Sequence, residues 1–262
     1  MPERPALSVI VITRNEAARI GRCLEALRWA DELVVVDDDS SDATAEIARE
    51  HGARVIVRPM REGFGEQKAF ALGQARHPWV LSIDADEVVT PALRGEIEAV
   101  LAAPGDHAGY RMPRLTYYLG RPIRHCGWYP LPVLRLFRRD RARFTEALVH
   151  EEVRVDGPVG DLHADLVHWS YDSLVVHAAK MRLYTGYQAR MLERGGVHPD
   201  GPTRWWLLVL RPAAVFARKY VGQRGWREGW HGLVLCALAA FGVFAVGVRL
   251  GELTGWLRTG SR

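Results

Sequence analysis

Four short apolar runs in the first hundred residues limit what this chain can fold into: Leu7–Thr13, residues 33–37, Arg54–Val57 and Trp79–Asp84. Each is β-branched or aliphatic almost throughout, the pattern of strands buried on both faces of a parallel sheet. Between them, residues 17–29, 42–51 and 66–76 read as helices, with Asp42 placed to cap the second. Strand–helix alternation at this spacing predicts a doubly wound α/β domain. In such sheets ligands bind beyond the carboxyl ends of the strands. Three of the four runs lead there into polar groups: Thr13-Arg14-Asn15-Glu16, Asp37-Asp38-Asp39-Ser40-Ser41-Asp42 and Asp84-Ala85-Asp86-Glu87.

The pattern loosens after Pro104. Residues 110–132 are rich in Tyr, Pro, Arg and Gly, as in a binding face built of loops. Residues 133–137 and 149–153 read as short strands, residues 173–192 as a helix, and residues 195–202 as its break. The expected organisation is a catalytic domain over residues 1–200, with halves at 1–103 and 104–200, followed by a helical region over 201–262. Charge follows a similar division. Residues 1–100 carry 12 Lys+Arg against 18 Asp+Glu, and residues 101–262 carry 23 against 13. An acidic half able to hold a metal thus precedes a basic half able to meet an anionic surface or a phosphorylated acceptor.

The last sixty residues hold five of the nine tryptophans and nine Lys+Arg, but only two acids. Residues 233–248 contain no charge; sixteen residues of helix extend about 24 Å, short of a hydrocarbon core of about 30 Å. Residues 205–210 and 213–217 form a second apolar block, punctuated by Arg211, Pro212, Arg218 and Lys219. Tryptophan and basic residues at the edges of apolar helices suit lipid headgroups. The region is therefore expected to hold the chain on a membrane surface without a firm span. The competing expectation is burial against the catalytic domain or a second subunit. The N-terminal residues lack a signal pattern. Cys23, Cys126 and Cys236 are scattered, which fits a reduced compartment better than a disulfide or zinc framework.

Asp84 and Asp86 stand at i and i+2 past a buried strand, so in extended backbone they point to one side. Two such carboxylates repel unless a cation joins them, and hard oxygens suit Mg²⁺ or Mn²⁺, with a substrate diphosphate completing the shell. Asp37 is the acid of the second cluster best placed to accept from a nucleobase or ribose. Lys68 lies in the first turn of a helix, where a cation is unfavourable without an anion to reach; a donor phosphate, Glu66 and Asp86 are the candidates. Glu151, beside His150, is the candidate general base. No G-x-G-x-x-G follows the first strand and no G-x-x-x-x-G-K-[ST] occurs, which excludes the common dinucleotide and P-loop patterns.

Together, residues 9–16, 29–37, 40–48, Gln67-Lys68 and 79–87 resemble family 2 glycosyltransferases, and more closely the branch containing lipopolysaccharide core β-1,4-glucosyltransferases. The likeness is dense over residues 7–100 and thinner through 135–137 and 149–151. It implies a GT-A fold and an inverting transfer of a hexose from a nucleoside-diphosphate sugar, a UDP-sugar first, with Mg²⁺ or Mn²⁺. It places Thr13, Asn15, Glu16 and Asp37 in the nucleotide pocket, Lys68 near the nucleotide, and Asp84 and Asp86 in the D-x-D, with Asp86 the more direct metal ligand. Where the family has Gly in the turn after the second strand, this chain has Asp39, a residue that tolerates positive φ better than most. The expected partners are the sugar donor, a lipid-linked or lipopolysaccharide-core glycan acceptor and the cytoplasmic face of a bacterial inner membrane, with homo-oligomers possible and no nucleic acid. The rival readings are a polyprenyl-phosphate sugar synthase and a non-catalytic sugar-nucleotide-binding scaffold.

Overall fold

A computed structural model describes residues 4–61, 63–145 and 152–257. The chain forms two compact units, one of Met1–Leu115 with Leu131–Trp169, the other of Thr116–Pro130 with Ser170–Arg262.

The first unit opens with β1 (Leu7–Thr13), α1 (Ala17–Glu25), β2 (Glu32–Asp37), α2 (Thr44–Glu50), β3 (Arg54–Val57), α3 (Phe64–Gln74) and β4 (Trp79–Asp84). Along the chain there follow β5 (Glu87–Val89), α4 (Pro91–Ala102), β6 (Gly109–Tyr118), β7 (Arg121–Pro122), β8 (Pro132–Arg138), β9 (Ala142–Phe144), β10 (Val153–Val155), β11 (Val159–Asp161) and β12 (Leu166–Tyr171), of which β7 and the last residues of β6 and β12 belong to the second unit. The main sheet runs β3-β2-β1-β4-β8-β6-β12-β5. Its first four strands are parallel, while β8 is antiparallel to both β4 and β6. The strand order reverses between β1 and β4, the switch point at which such sheets open a ligand crevice.

Alternation along β1 explains why that strand lies in the middle. Leu7, Val9 and Val11 join one apolar layer with Ile20, Leu24, Ile83, Leu93 and Ile97. Ile10 joins the opposite layer with Val34, Val36, Ala71, Val80 and Phe137. A strand with apolar groups on both faces is stable only with cover on both sides. The helices begin and end a few residues from the positions expected from the sequence, as chain ends with weak caps do. One expected cap is corrected: α2 has Ala43 at its N-cap position, and no side chain caps it there. Asp42 instead accepts from the Thr44 and Ala17 amides at 3.1 and 3.2 Å, tying the starts of α2 and α1 together. The strand expected over 149–153 falls mostly outside the described residues; Val153 begins β10.

The rest of the second unit is helical: α5 (Leu174–Arg194), α6 (Gly201–Trp205), α7 (Arg211–Ala217) and α8 (Gly229–Leu253). The π-helical turns Trp206–Leu210 and Arg218–Gly222 join α6 and α7 into one helical run from 201 to 222. Ser173 caps α5, accepting from the Val176 amide at 3.2 Å. Tyr118, Ile123 and Cys126 share an apolar cluster with Leu235 and Cys236 of α8. Glu228 anchors this packing: one carboxylate oxygen accepts from the amides of Arg124 and His125 at 3.0 and 3.1 Å and lies 2.6 Å from His125 Nδ1.

Candidate active site

The polar strand ends meet at the switch point. Parallel register sets Thr13 opposite Asp37 on β2, and Ile12 opposite Asp84 on β4. The D-x-D therefore begins one residue across from Thr13.

Glu87 organises the segment that carries it. Its side chain is fully buried, and its carboxylate accepts from the Asp84 amide at 3.0 Å and from Arg135 Nη2 at 2.6 Å. Arg114 Nη1 stands 3.6 Å from the same carboxylate. Arg135, on β8, also reaches Asp84 Oδ2 at 2.5 Å. Lys68, on α3, reaches Asp84 Oδ1 at 2.9 Å and is 4% exposed. Lys68 therefore does sit on an anion, and Asp84, the first acid of the D-x-D, is one that it reaches, while Glu66 pairs with Arg58. Burial pushes the Asp84 carboxyl up, but Arg135 and then Lys68 outweigh it and hold the group far below the usual carboxylate range. Burial likewise disfavours charge on Arg135, but Asp84 and Glu87 reverse that and keep it protonated.

Asp86 has different company. Its Oδ2 lies 3.3 Å from Nε2 of His168 on β12, and its carbonyl accepts from the Trp169 amide at 2.9 Å. Two donors about 2.1 Å from one cation and at right angles stand about 3 Å apart, so the Asp86–His168 pair has the spacing and donor chemistry for a divalent metal. No cluster of three or more such ligands occurs among the described residues. Beneath the segment, burial, then Glu87, Asp86 and Asp84, raise the Cys23 thiol well above its ordinary range, so it stays neutral.

The first two strand ends form a framework of turns. The buried Asp37 carboxylate accepts from the Ser40 hydroxyl at 2.5 Å and the Ser40 amide at 2.9 Å. Asp39 has φ 50°, the left-handed conformation anticipated for that turn. Asn15 has φ 52° and accepts from the Ser41 amide at 2.8 Å, while Glu16 pairs with Arg19 at 2.7 Å. Thr13 Oγ1 is buried with no hydrogen-bond partner among the described residues, a donor and acceptor left for something else. His150 and Glu151 lie outside the described residues.

Sequence reasoning missed Arg135, Glu87 and His168. Arg135 offered one signal: a charged residue at the centre of an apolar strand needs a buried acid. His168 offered none, because its pairing with Asp86 depends on β12 lying beside β5.

The glycosyl transferase family 2 model matches residues 8–140. The lipopolysaccharide core biosynthesis glycosyltransferase LpsC of Rhizobium meliloti (strain 1021) is 31% identical over 262 residues, covering 95% of this chain and 93% of that protein. An uncharacterised glycosyltransferase of Rickettsia typhi (strain ATCC VR-144 / Wilmington) is 30% identical over 272 residues, covering 95% and 87%. In fold, the chain is similar to the mannosyltransferase PcManGT of Pyrobaculum calidifontis, with a TM-score of 0.55 at 17% identity over 95% of this chain and 88% of that one. With the acidic strand ends gathered at the switch point of a GT-A sheet, these likenesses make the chain a member of glycosyl transferase family 2.

Proposed function

We propose that the protein is an inverting, metal-dependent hexosyltransferase that uses a nucleoside-diphosphate sugar, a UDP-sugar first, and glycosylates a lipid-linked or lipopolysaccharide-core glycan. One observation carries this reading: Asp86 and His168 form a two-donor pair 3.3 Å apart at the switch point, beside an Asp84 that two cations hold ionised. The relative LpsC is named for lipopolysaccharide core biosynthesis, and PcManGT was solved with GDP-Man and Mn²⁺. The first supports the acceptor class, and the second supports a nucleoside-diphosphate sugar donor used with a divalent metal.

Asp86 and His168 would hold Mg²⁺ or Mn²⁺, and when bound the ion supplies neutralisation of the departing diphosphate. Asp84 belongs to the same D-x-D; clamped by Lys68 and Arg135, it fixes the turn that presents Asp86. Thr13 offers its unpartnered hydroxyl to the nucleotide. Asn15, Glu16 and Asp37 border the same pocket, Asn15 and Asp37 through the Ser41 and Ser40 turns they hold. Glu151 takes the proton from an acceptor hydroxyl as that oxygen bonds to the anomeric carbon and the nucleoside diphosphate leaves from the opposite face. A lipid-linked acceptor puts the reaction at the cytoplasmic face of the inner membrane.

The test is transfer, together with thermal stabilisation by UDP-, GDP- and ADP-sugars with and without Mn²⁺. Asp86→Ala should abolish both metal-dependent stabilisation and transfer. Glu151→Gln should lower turnover at least about 10²-fold with nucleotide affinity unchanged. Wild-type transfer by Asp86→Ala would overturn the site assignment. Loss of nucleotide binding in Glu151→Gln at near-normal turnover would remove the base assignment.

A further inference from the structure

The helical run from 201 to 222 presents the wrong face to water. From Trp205 on, its exposed positions are Trp205, Trp206, Val209, Leu210, Ala213, Ala214, Ala217, Arg218, Val221 and Gly222, a stripe recurring about every four residues. The π-helical turns match that period, since each turn there takes more residues than an α-helical one. Arg218 is the stripe's one charge. Arg211 and Lys219 lie instead among the half-buried positions. An ordinary surface helix shows the reverse arrangement. The exposure is large: Trp205 is 68% accessible, Leu210 57% and Val221 66%. On α8, Trp230, Ala237, Phe241 and Phe244 continue the pattern at i, i+7, i+11 and i+14, one face of a helix. Of nineteen large apolar side chains exposed among the described residues, sixteen lie from Leu174 onward. A patch of that kind marks an interaction surface.

Charge selects the occupant. Between residues 201 and 227 stand Arg204, Arg211, Arg218, Lys219, Arg224 and Arg227, and no acid. Tryptophans mark both ends of the run, Trp205 and Trp206 at one, Trp226 at the other. A second copy of this surface would bring like charge against like charge. A bilayer with anionic headgroups accepts both features, taking the indoles and leucines at the acyl boundary and the guanidinium groups among the phosphates. Arg211 falls in the middle of the run and Arg218 and Lys219 in its last turn, so passage of this helix through the hydrocarbon is disfavoured and a position in the plane of the interface is favoured. α8 is long and apolar enough to cross a membrane. It packs on α5 and α7 within the second unit, and Gly247 lets Leu207 and Leu208 approach it closely.

We propose that the second unit docks on an anionic bilayer through this stripe, with the helical run from 201 to 222 lying in the plane of the interface. The docking stands on the surface itself and does not depend on which sugar is transferred. The test is flotation of the full chain with phosphatidylcholine vesicles, with and without about a quarter phosphatidylglycerol. Wild type should float with the anionic vesicles and be released in part by high salt. Trp205→Glu with Leu210→Glu replaces exposed positions, so its melting transition should match wild type while flotation falls at least about tenfold. Ala217→Leu, also exposed, should tighten binding by about tenfold, a gain that misfolding cannot produce. The proposal is overturned if wild type ignores both vesicles, or if the double-Glu variant floats like wild type. It is also overturned if the double-Glu variant merely turns a dimer into a monomer without loss of flotation. Metal-dependent nucleotide binding, measured on the same samples, reports on the transferase reading separately.

Discussion

Lys68 and Arg135 reach one carboxylate from a helix and a strand 67 residues apart in sequence, and what each contributes depends on the other remaining. Removing one partner of a fully buried ion pair costs about 3–5 kcal/mol. Lys68→Met leaves Asp84 with Arg135 and should cost less, about 2 kcal/mol in chemical denaturation. Asp84→Asn leaves Lys68, Arg135 and Glu87 with one negative charge among them, and should cost more than Lys68→Met. Equal small losses in both variants would mean that solvent already screens the cluster. The sequence made Lys68 legible as a cation in need of an anion, because its place in a first helical turn is unfavourable by itself. It did not point to Asp84, since Glu66 is nearer along the chain and only the packing of α3 against β1 and β2 brings Lys68 to the end of β4.

At the scale of elements, legibility followed burial. β1 to β4 were readable because a strand covered on both faces must be apolar at nearly every position, a signal that four to seven residues carry unaided. β5, β7 and β11 have two or three residues each and take their shape from neighbours, so no local pattern announces them. The start of α4 shows how a small motif secures an element. Thr90 accepts from the Leu93 amide at 3.2 Å, Pro91 follows at the first turn, and the Thr90 hydroxyl donates to the Asp165 carbonyl at 3.0 Å. The hydroxyl thus links the helix to the chain leading into β12. Thr90→Ala should lower stability by about 1–2 kcal/mol, and Thr90→Ser should restore most of it. A loss below a few tenths of a kcal/mol in thermal melts would show that Pro91 alone sets the helix start.

Across the whole molecule, acidic groups held ionised set the response to pH. In the first unit these include Asp84 and Glu32; burial works against the Glu32 carboxylate, and hydrogen bonds from Ser8 and Arg54 overcome it. In the second unit Glu228 is likewise opposed by burial and lowered by His125 and the Arg124 amide. A carboxyl depressed in the folded state stabilises fully above its unfolded value, about 3.9 for Asp and 4.3 for Glu. That contribution drains away as pH falls through the folded value. The contribution of these three groups to the melting temperature should therefore be level from neutrality down to about pH 5 and fall below about pH 4. Glu228→Gln should weaken the acid response of the second unit. A melting temperature that rises on acidification below pH 4 would contradict this assignment.

The chain passes from one unit to the other three times, after Leu115, Pro130 and Trp169. A ribosome therefore delivers Tyr118, Ile123 and Cys126 long before Leu235 and Cys236, the side chains they are buried with. At about 5–20 residues per second, roughly a hundred intervening residues take about 5–20 s. During that time an apolar loop has no permanent cover, and a chaperone or the membrane surface itself is the natural temporary one. A truncation designed to free the enzyme by deleting α8 would make that interval permanent.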